Sequence, residues 1–123
     1  MSKTRIAVPS MFPGGLKAQR SGHFGRCDVF TVIDIDDDII VDVSILNNIE
    51  HSEGGCLVPV NLLANHNVNS IIVGGMGMRP LMGFKEAGIN VYLGDGITVE
   101  DAVNSFLKDQ LDLMTTDHVC GGH

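Results

Sequence analysis

Three short stretches of this chain gather the residue types that bind metals or anions. The first, Ser21-Gly22-His23-Phe24-Gly25-Arg26-Cys27, puts an imidazole, a guanidinium and a thiol within five positions on a glycine-rich bend. Imidazole and thiolate suit soft or borderline metals, and a planar guanidinium suits an oxyanion or thioanion. The same residues also read as an ordinary turn, with His23 capping backbone groups and Cys27 beginning to fill core. The second stretch is Gly74-Gly75-Met76-Gly77-Met78-Arg79-Pro80, between a strand end and a helix start. Such a junction aims unpaired N–H groups at an anion, and glycines let it approach the backbone closely. It is not a dinucleotide fingerprint, because Pro80 stands where the last glycine belongs, and it lacks the Gly-Lys-Ser/Thr of a P-loop. Met76 and Met78 suit a polarizable, sulfur-rich ligand better than a nucleotide phosphate. A tight turn with both methionines packed inward is the competing reading. Third is the tail His118-Val119-Cys120-Gly121-Gly122-His123, where two glycines let His123 fold back toward His118 and Cys120 as a three-ligand soft-metal site.

Hydrophobic periodicity supplies the elements that must position these stretches. Arg5–Pro9 reads as a strand and residues 10–26 as a loop without regular structure. Val29 to Ile35 and Ile39 to Leu46 form an antiparallel hairpin turning at Asp36-Asp37-Asp38, with residues 39, 41, 43 and 45 on one face. After a polar loop from Asn47 to Gly55, Leu57 to Asn65 is helical, with Pro59 in its first turn. Ser70 to Val73 is a short buried strand, Pro80 to Ala87 a helix ending at Gly88, and Ile89 to Leu93 a last strand. Thr98 and Asp101 form a capping pair before Val99, Ala102, Val103, Phe106 and Leu107, which repeat at helical spacing. The sum is an α/β domain over residues 1–113: a mixed five-stranded sheet, one strand running against the rest, with three helices on its faces. Residues 114–123 form a flexible Cys/His tail.

With 123 residues, 44% of them hydrophobic, the chain can bury a core without staples. Its formal charge of −7 argues against nucleic acid and anionic membrane faces, which attract surplus lysine and arginine. No apolar run approaches the ~20 residues that span a bilayer, and no signal-peptide pattern opens the sequence, so a cytoplasmic protein is expected. Three cysteines, none in a CxxC, leave free thiols or metal ligands as the options. They are too few to hold a four-thiolate iron–sulfur cluster. Neither GxSxG nor HExxH occurs, and no nucleophile or base stands out.

Two segments together resemble one known family. Ser21 to Phe30 is similar to the "HFGR…F" signature of the dinitrogenase iron–molybdenum cofactor biosynthesis family. Val73-Gly74-Gly75-Met76-Gly77, Ala87 to Tyr92 and Thr98 to Val103 resemble that family's second half. The resemblance implies a three-layer α/β/α ribonuclease-H-like fold without ribonuclease activity. It also implies non-covalent binding of an anionic metal–sulfur cluster, containing molybdenum or iron and with or without copper, near His23, Phe24, Arg26 and the Gly74–Arg79 loop. Free-standing members include the orange proteins of anaerobic bacteria, which hold a molybdenum–copper sulfide cluster. The expected role is a non-catalytic carrier or scaffold, meeting cluster donor or acceptor proteins as a monomer or weak dimer. The alternative is a regulatory adaptor docking on a partner such as an ATPase, with no cluster. Cys27, His118, Cys120 and His123 are the candidate metal ligands, the last three outside the shared region. Arg20, Arg26 and Arg79, three of only four arginines, are expected to face one cavity at the sheet's loop edge.

Overall fold

β-Branched and aliphatic residues concentrate where the strands lie: Lys3–Ser10 (β1), Val29–Asp36 (β2), Ile39–Asn47 (β3), Ser70–Val73 (β4) and Asn90–Leu93 (β5). A computed structural model of the chain describes residues 3–21, 27–47, 57–74, 78–94, 97–108 and 110–114. The helices are Leu57–Asn65 (α1), Met78–Glu86 (α2) and Val99–Leu107 (α3), and a short sixth strand follows at Asp112–Leu113 (β6). α2 starts two residues before Pro80, because the first helical turn needs no intrahelical N–H bonds and tolerates the ring.

The strand order is β3-β2-β1-β4-β5-β6. β1 pairs antiparallel with β2 from Lys3↔Asp36 to Ser10↔Val29, and parallel with β4 at Ile6↔Ser70 and Ala7↔Ile71. β4 and β5 are parallel, whereas β6 runs back along β5 through Tyr92↔Leu113 and Leu93↔Asp112. Two strands, β2 and β6, therefore run against the other four, and the sheet has six strands rather than the five expected. β6 escapes the sequence pattern because it is two residues long with no alternation to detect. Its extension is anchored by Met114 N–H donating to the Val91 carbonyl at 2.7 Å and by burial of the Met114 side chain.

Alternation along each strand sends side chains to two separate cores. On one face Ala7, Phe30, Ile71, Val73 and Val91 pack with Val60 and Leu63 of α1 and Leu81 and Phe84 of α2. On the other, Ile6, Val8, Ile33, Ile35 and Ile72 meet Val99, Ala102 and Val103 of α3. This is the three-layer α/β/α ribonuclease-H-like arrangement that the family resemblance implies. The hairpin turn sits where expected, with Asp37 and Asp38 both at positive φ (53° and 67°), as a two-residue turn between twisted strands requires.

One expectation for β3 fails. The register steps from Asp34↔Asp42 to Ile35↔Ile40, so Val41 is an extra residue and the two-residue period breaks there. Ile40 and Val43 share the half-buried face, while Ile39 and Val41 are left exposed.

Gly94, directly after β5, is held by close packing. A Cβ there would overlap Cγ2 of the fully buried Ile72 and stand 3.5 Å from Arg20 Nη2. Gly94→Ala should cost about 1–3 kcal/mol, the range for overpacking a close-packed site. Urea unfolding checks this, and an unchanged midpoint would mean that β5 can move aside.

Candidate functional site

Strand polarity brings the residues that flank the chain's glycine-rich bends to one end of the sheet. β1, β4 and β5 are parallel, so Ser10, Val73 and Leu93 lie at the same end. Val29, which opens β2, pairs with Ser10, and Asn47, which closes β3, pairs with Val29. The connections 11–28, 48–56, 74–77 and 94–98 therefore all start or finish at this loop edge. α1, α2 and α3 each begin from it. Ligand sites of open α/β sheets favour this end.

The loop edge is partly closed by residues 11–21, which form an ordered strap instead of the structureless loop expected. Met11 N–H bonds the Gln19 carbonyl and Ser21 N–H the Pro9 carbonyl, both at 2.9 Å. Gly15 N–H donates to the Thr31 hydroxyl at 3.0 Å. Across the strap, Arg20 N–H reaches the Ile97 carbonyl, while Val99 and Glu100 N–H donate to the carbonyls of Ala18 and Leu16, each at 2.9 Å. The next amide of α3, from Asp101, donates to Thr98 Oγ1 at 3.2 Å, and the Asp101 carboxylate accepts from Thr98 N–H in return. The capping box expected from the sequence is present. The first three amides of α3 are thus all engaged inside the protein, and this helix end has nothing to offer an external anion. α1 and α2 begin directly after the loop segments 48–56 and 75–77.

Arg20, half-buried at this edge, donates from Nη2 to the Gly94 carbonyl at 3.1 Å. It ties the strap to the β5–α3 connection. Cys27 is buried among the side chains on the α1 and α2 face, immediately before β2. Gly74 follows β4 and is exposed, and a Cβ on it would meet no neighbour within 4 Å. Met78 and Arg79 open α2. His23, Phe24, Arg26, Gly75, Met76, Gly77, His118, Cys120 and His123 lie outside the described residues. The residues flanking the two bends are informative even so. Cys27 leads into β2 and Gly74 leaves β4, strands that flank β1 on either side. They therefore stand at one end of the sheet, two strand spacings or roughly 10 Å apart. The tail departs differently. β6 runs antiparallel to β5, so at Met114 the chain is travelling away from the loop edge.

Among the described residues no three of His, Cys, Asp or Glu gather closely enough to hold a metal ion, and no helix is long and apolar enough to cross a membrane. Sequence reasoning missed the strap, whose bonds are backbone contacts to residues about 80 positions away and leave no side-chain pattern. The paired glycines at 14 and 15, both at positive φ, were its one available signal.

Fold and edge together define a small α/β domain whose helices all begin from one end of an open sheet. The chain belongs to the dinitrogenase iron–molybdenum cofactor family, whose sequence model matches residues 3–109. It is 32% identical over 94 residues to an uncharacterized protein of Methanocaldococcus jannaschii, a match covering 75% of this chain and 80% of that one. The apo form of the orange protein from Desulfovibrio gigas superposes with a TM-score of 0.81 at 28% identity, covering 91% of this chain and 93% of that one. A NifB-like protein from Thermotoga gives 0.75 at 26% identity, covering 89% and 92%.

The strap and its cap carry a pH signature. Backbone N–H bonds from Thr98 and Ile97 hold the Asp101 carboxyl below its ordinary range, with a smaller contribution from the Thr98 hydroxyl. A carboxylate depressed in the folded state stabilises fully above its unfolded pKa, and that stability is lost as pH falls through the folded value. The unfolding midpoint of Asp101→Asn should therefore lie below the parent's at neutral pH, and the gap should close on acidification below the ordinary aspartate range. A gap independent of pH would contradict the cap.

Proposed function

We propose that this protein is a non-catalytic carrier or scaffold that holds an anionic metal–sulfur cluster, of molybdenum or iron with or without copper, at its loop edge. One observation carries the reading. The residues flanking the His23–Arg26 bend and the Gly74–Arg79 bend stand at the same end of the sheet, on the two strands beside β1. Family membership supports it, since the family takes its name from the iron–molybdenum cofactor.

The chemistry follows from the residue types. A multi-sulfide anion needs positive charge, N–H donors and polarizable surroundings in one place. Arg26 and Arg79 supply forked guanidinium donors, and His23 supplies a further N–H. Gly74, Gly75 and Gly77 allow the backbone amides before α2 to approach the sulfides. Met76 and Met78 offer thioether contact, and Phe24 an apolar wall. Because the first amides of α3 are already engaged, anion binding concentrates on the side of the edge where α1 and α2 begin. Such a cradle releases its cargo without breaking a protein–metal bond, which suits handover between a donor and an acceptor protein. Cys27, His118, Cys120 and His123 are the chain's own soft ligands, and direct coordination by them is the finer alternative that the experiment must separate.

The test is anaerobic incubation of the full chain with tetrathiomolybdate and copper(I), reading the visible spectrum and bound molybdenum and copper after desalting. His23→Ala and Arg79→Ala should each weaken uptake about tenfold or more, the scale of one charge-assisted hydrogen bond. The triple variant His118→Ala, Cys120→Ser, His123→Ala should take up cluster like the parent. Undiminished uptake in both cradle variants, or loss confined to the tail variant, would move the cluster elsewhere. A colourless parent that takes up no metal would leave the adaptor role in its place.

A further inference from the structure

The geometry points to a ligand site distinct from the proposed cluster edge, at the opposite end of the sheet from Ser10, Val73 and Leu93, shaped for a small zwitterion such as a free aliphatic amino acid. A cavity of about 470 Å³ opens there, between the start of β1, the end of β2 and the α1–β4 connection. Its size falls within the usual range for small-molecule pockets. Lys3, Arg5, Asp36, Asn67 and Asn69 line it, with Val41 as an apolar wall.

The cavity has a built floor. Arg5 Nε donates to Asp34 Oδ1 at 2.6 Å, and Arg5 Nη1 donates to the His66 carbonyl at 2.8 Å. The Arg5 backbone N–H donates to Asn69 Oδ1 at 2.7 Å, which fixes the orientation of that amide. Asp34, by hydrogen bond and charge, pushes the Arg5 guanidinium still further up. These groups satisfy one another and cancel in charge.

The groups left over define the ligand. Asp36 Oδ1 is buried and has no hydrogen-bond partner, a state that costs free energy until some donor reaches it. Lys3, which faces Asp36 across the β1–β2 ladder, forms no ion pair among the described residues. Asn69 has committed its carbonyl oxygen, so its amide nitrogen remains a donor. Among the lining groups, the Asp36 carboxylate, the Lys3 ammonium and the Asn69 amide nitrogen thus remain to meet a ligand in a single space. A ligand ammonium satisfies Asp36, and the carboxylate on the same molecule satisfies Lys3 and Asn69. A simple anion or cation would leave one of the two charges unmatched. The β3 bulge turns Val41 outward, and its exposed side chain offers apolar contact to an aliphatic ligand side chain.

The site is independent of the cluster edge, and so is its test. The ¹⁵N-labelled full chain is titrated with L-leucine, N-acetyl-L-leucine and L-leucinamide. Leucine should shift the amide signals of residues 3–5, 34–36 and 67–69 saturably. The acetylated and amidated forms, each lacking one charge, should bind about tenfold more weakly or worse. Asp36→Asn and the exposed Lys3→Gln should each weaken leucine by a similar factor without lowering the unfolding midpoint. The proposal is overturned if leucine produces no saturable shift, if either derivative binds as well as leucine, or if neither substitution changes the affinity.

Discussion

The pairing of β1 on both of its edges is the constraint from which the rest of the molecule follows. Antiparallel pairing with β2 and parallel pairing with β4 fix which strand ends point the same way. β1 is also covered on both faces, with Ile6 and Val8 in one core and Ala7 in the other, all fully buried. A slip of one residue would exchange these faces and expose both cores at once. The register is therefore held by burial as well as by hydrogen bonds. Once it is fixed, right-handed crossovers through α1 and α2 must return the chain to the far end. The described residues that flank the connections before both helices, Asn47 and Gly74 among them, therefore stand at the loop edge.

That polarity also bears on the electrostatics of the proposed role. A chain of net charge −7 is an unpromising carrier for an anion. However, Asp34, Asp36, Asp37, Asp38 and Asp42 all belong to the far end of the β2–β3 hairpin. Five to seven strand rises of ~3.3 Å each separate these residues from Val29 and Asn47 at the loop edge, about two to three times the ~8 Å screening length at physiological ionic strength. Repulsion from these carboxylates is largely screened before it reaches the loop edge. Local groups then decide the potential at the loop edge, where Arg20 stands with the carboxylates of Asp28, Glu100 and Asp101. Arg20 takes part in that setting while its Nη2 donates to the Gly94 carbonyl.

What was legible in the sequence had short-range causes. The β2–β3 hairpin, the three helices and the Thr98–Asp101 cap follow from periodicity and from spacings of three or four residues, and they appear where those spacings put them. That the residues flanking the two bends share one sheet end was also accessible, because strand–helix–strand units imply parallel pairing. The features that escaped have long-range causes. The strap is stitched by carbonyls of Leu16 and Ala18 to amides of Glu100 and Val99. β6 exists because two residues find the open edge of β5. The far cavity draws on β1, the β2–β3 hairpin and the α1–β4 connection, which meet only after the sheet has formed. The outward turn of Val41 depends on one extra residue that no hydropathy pattern marks.

The closed end of α3 bears on selectivity as well as on stability. A helix N-terminus attracts any small anion, and phosphate is far more abundant in a cell than a metal sulfide. Filling the first amides of α3 with the carbonyls of Ala18 and Leu16 and the hydroxyl of Thr98 removes one such phosphate trap from the loop edge. Asp101 adds its own carboxylate at the same helix end and repels a second anion there. On the proposed carrier role, discrimination falls to the segments before α1 and α2, whose residue types treat hard and soft anions differently. A sulfide-rich surface gains dispersion from thioethers and tolerates their weak hydration, whereas phosphate must give up water to reach them. Glycine at 74, with no neighbour where a Cβ would stand, leaves room for a bulky occupant to approach the backbone. Closing one anion site while leaving a softer one open is specificity obtained as much by exclusion as by attraction.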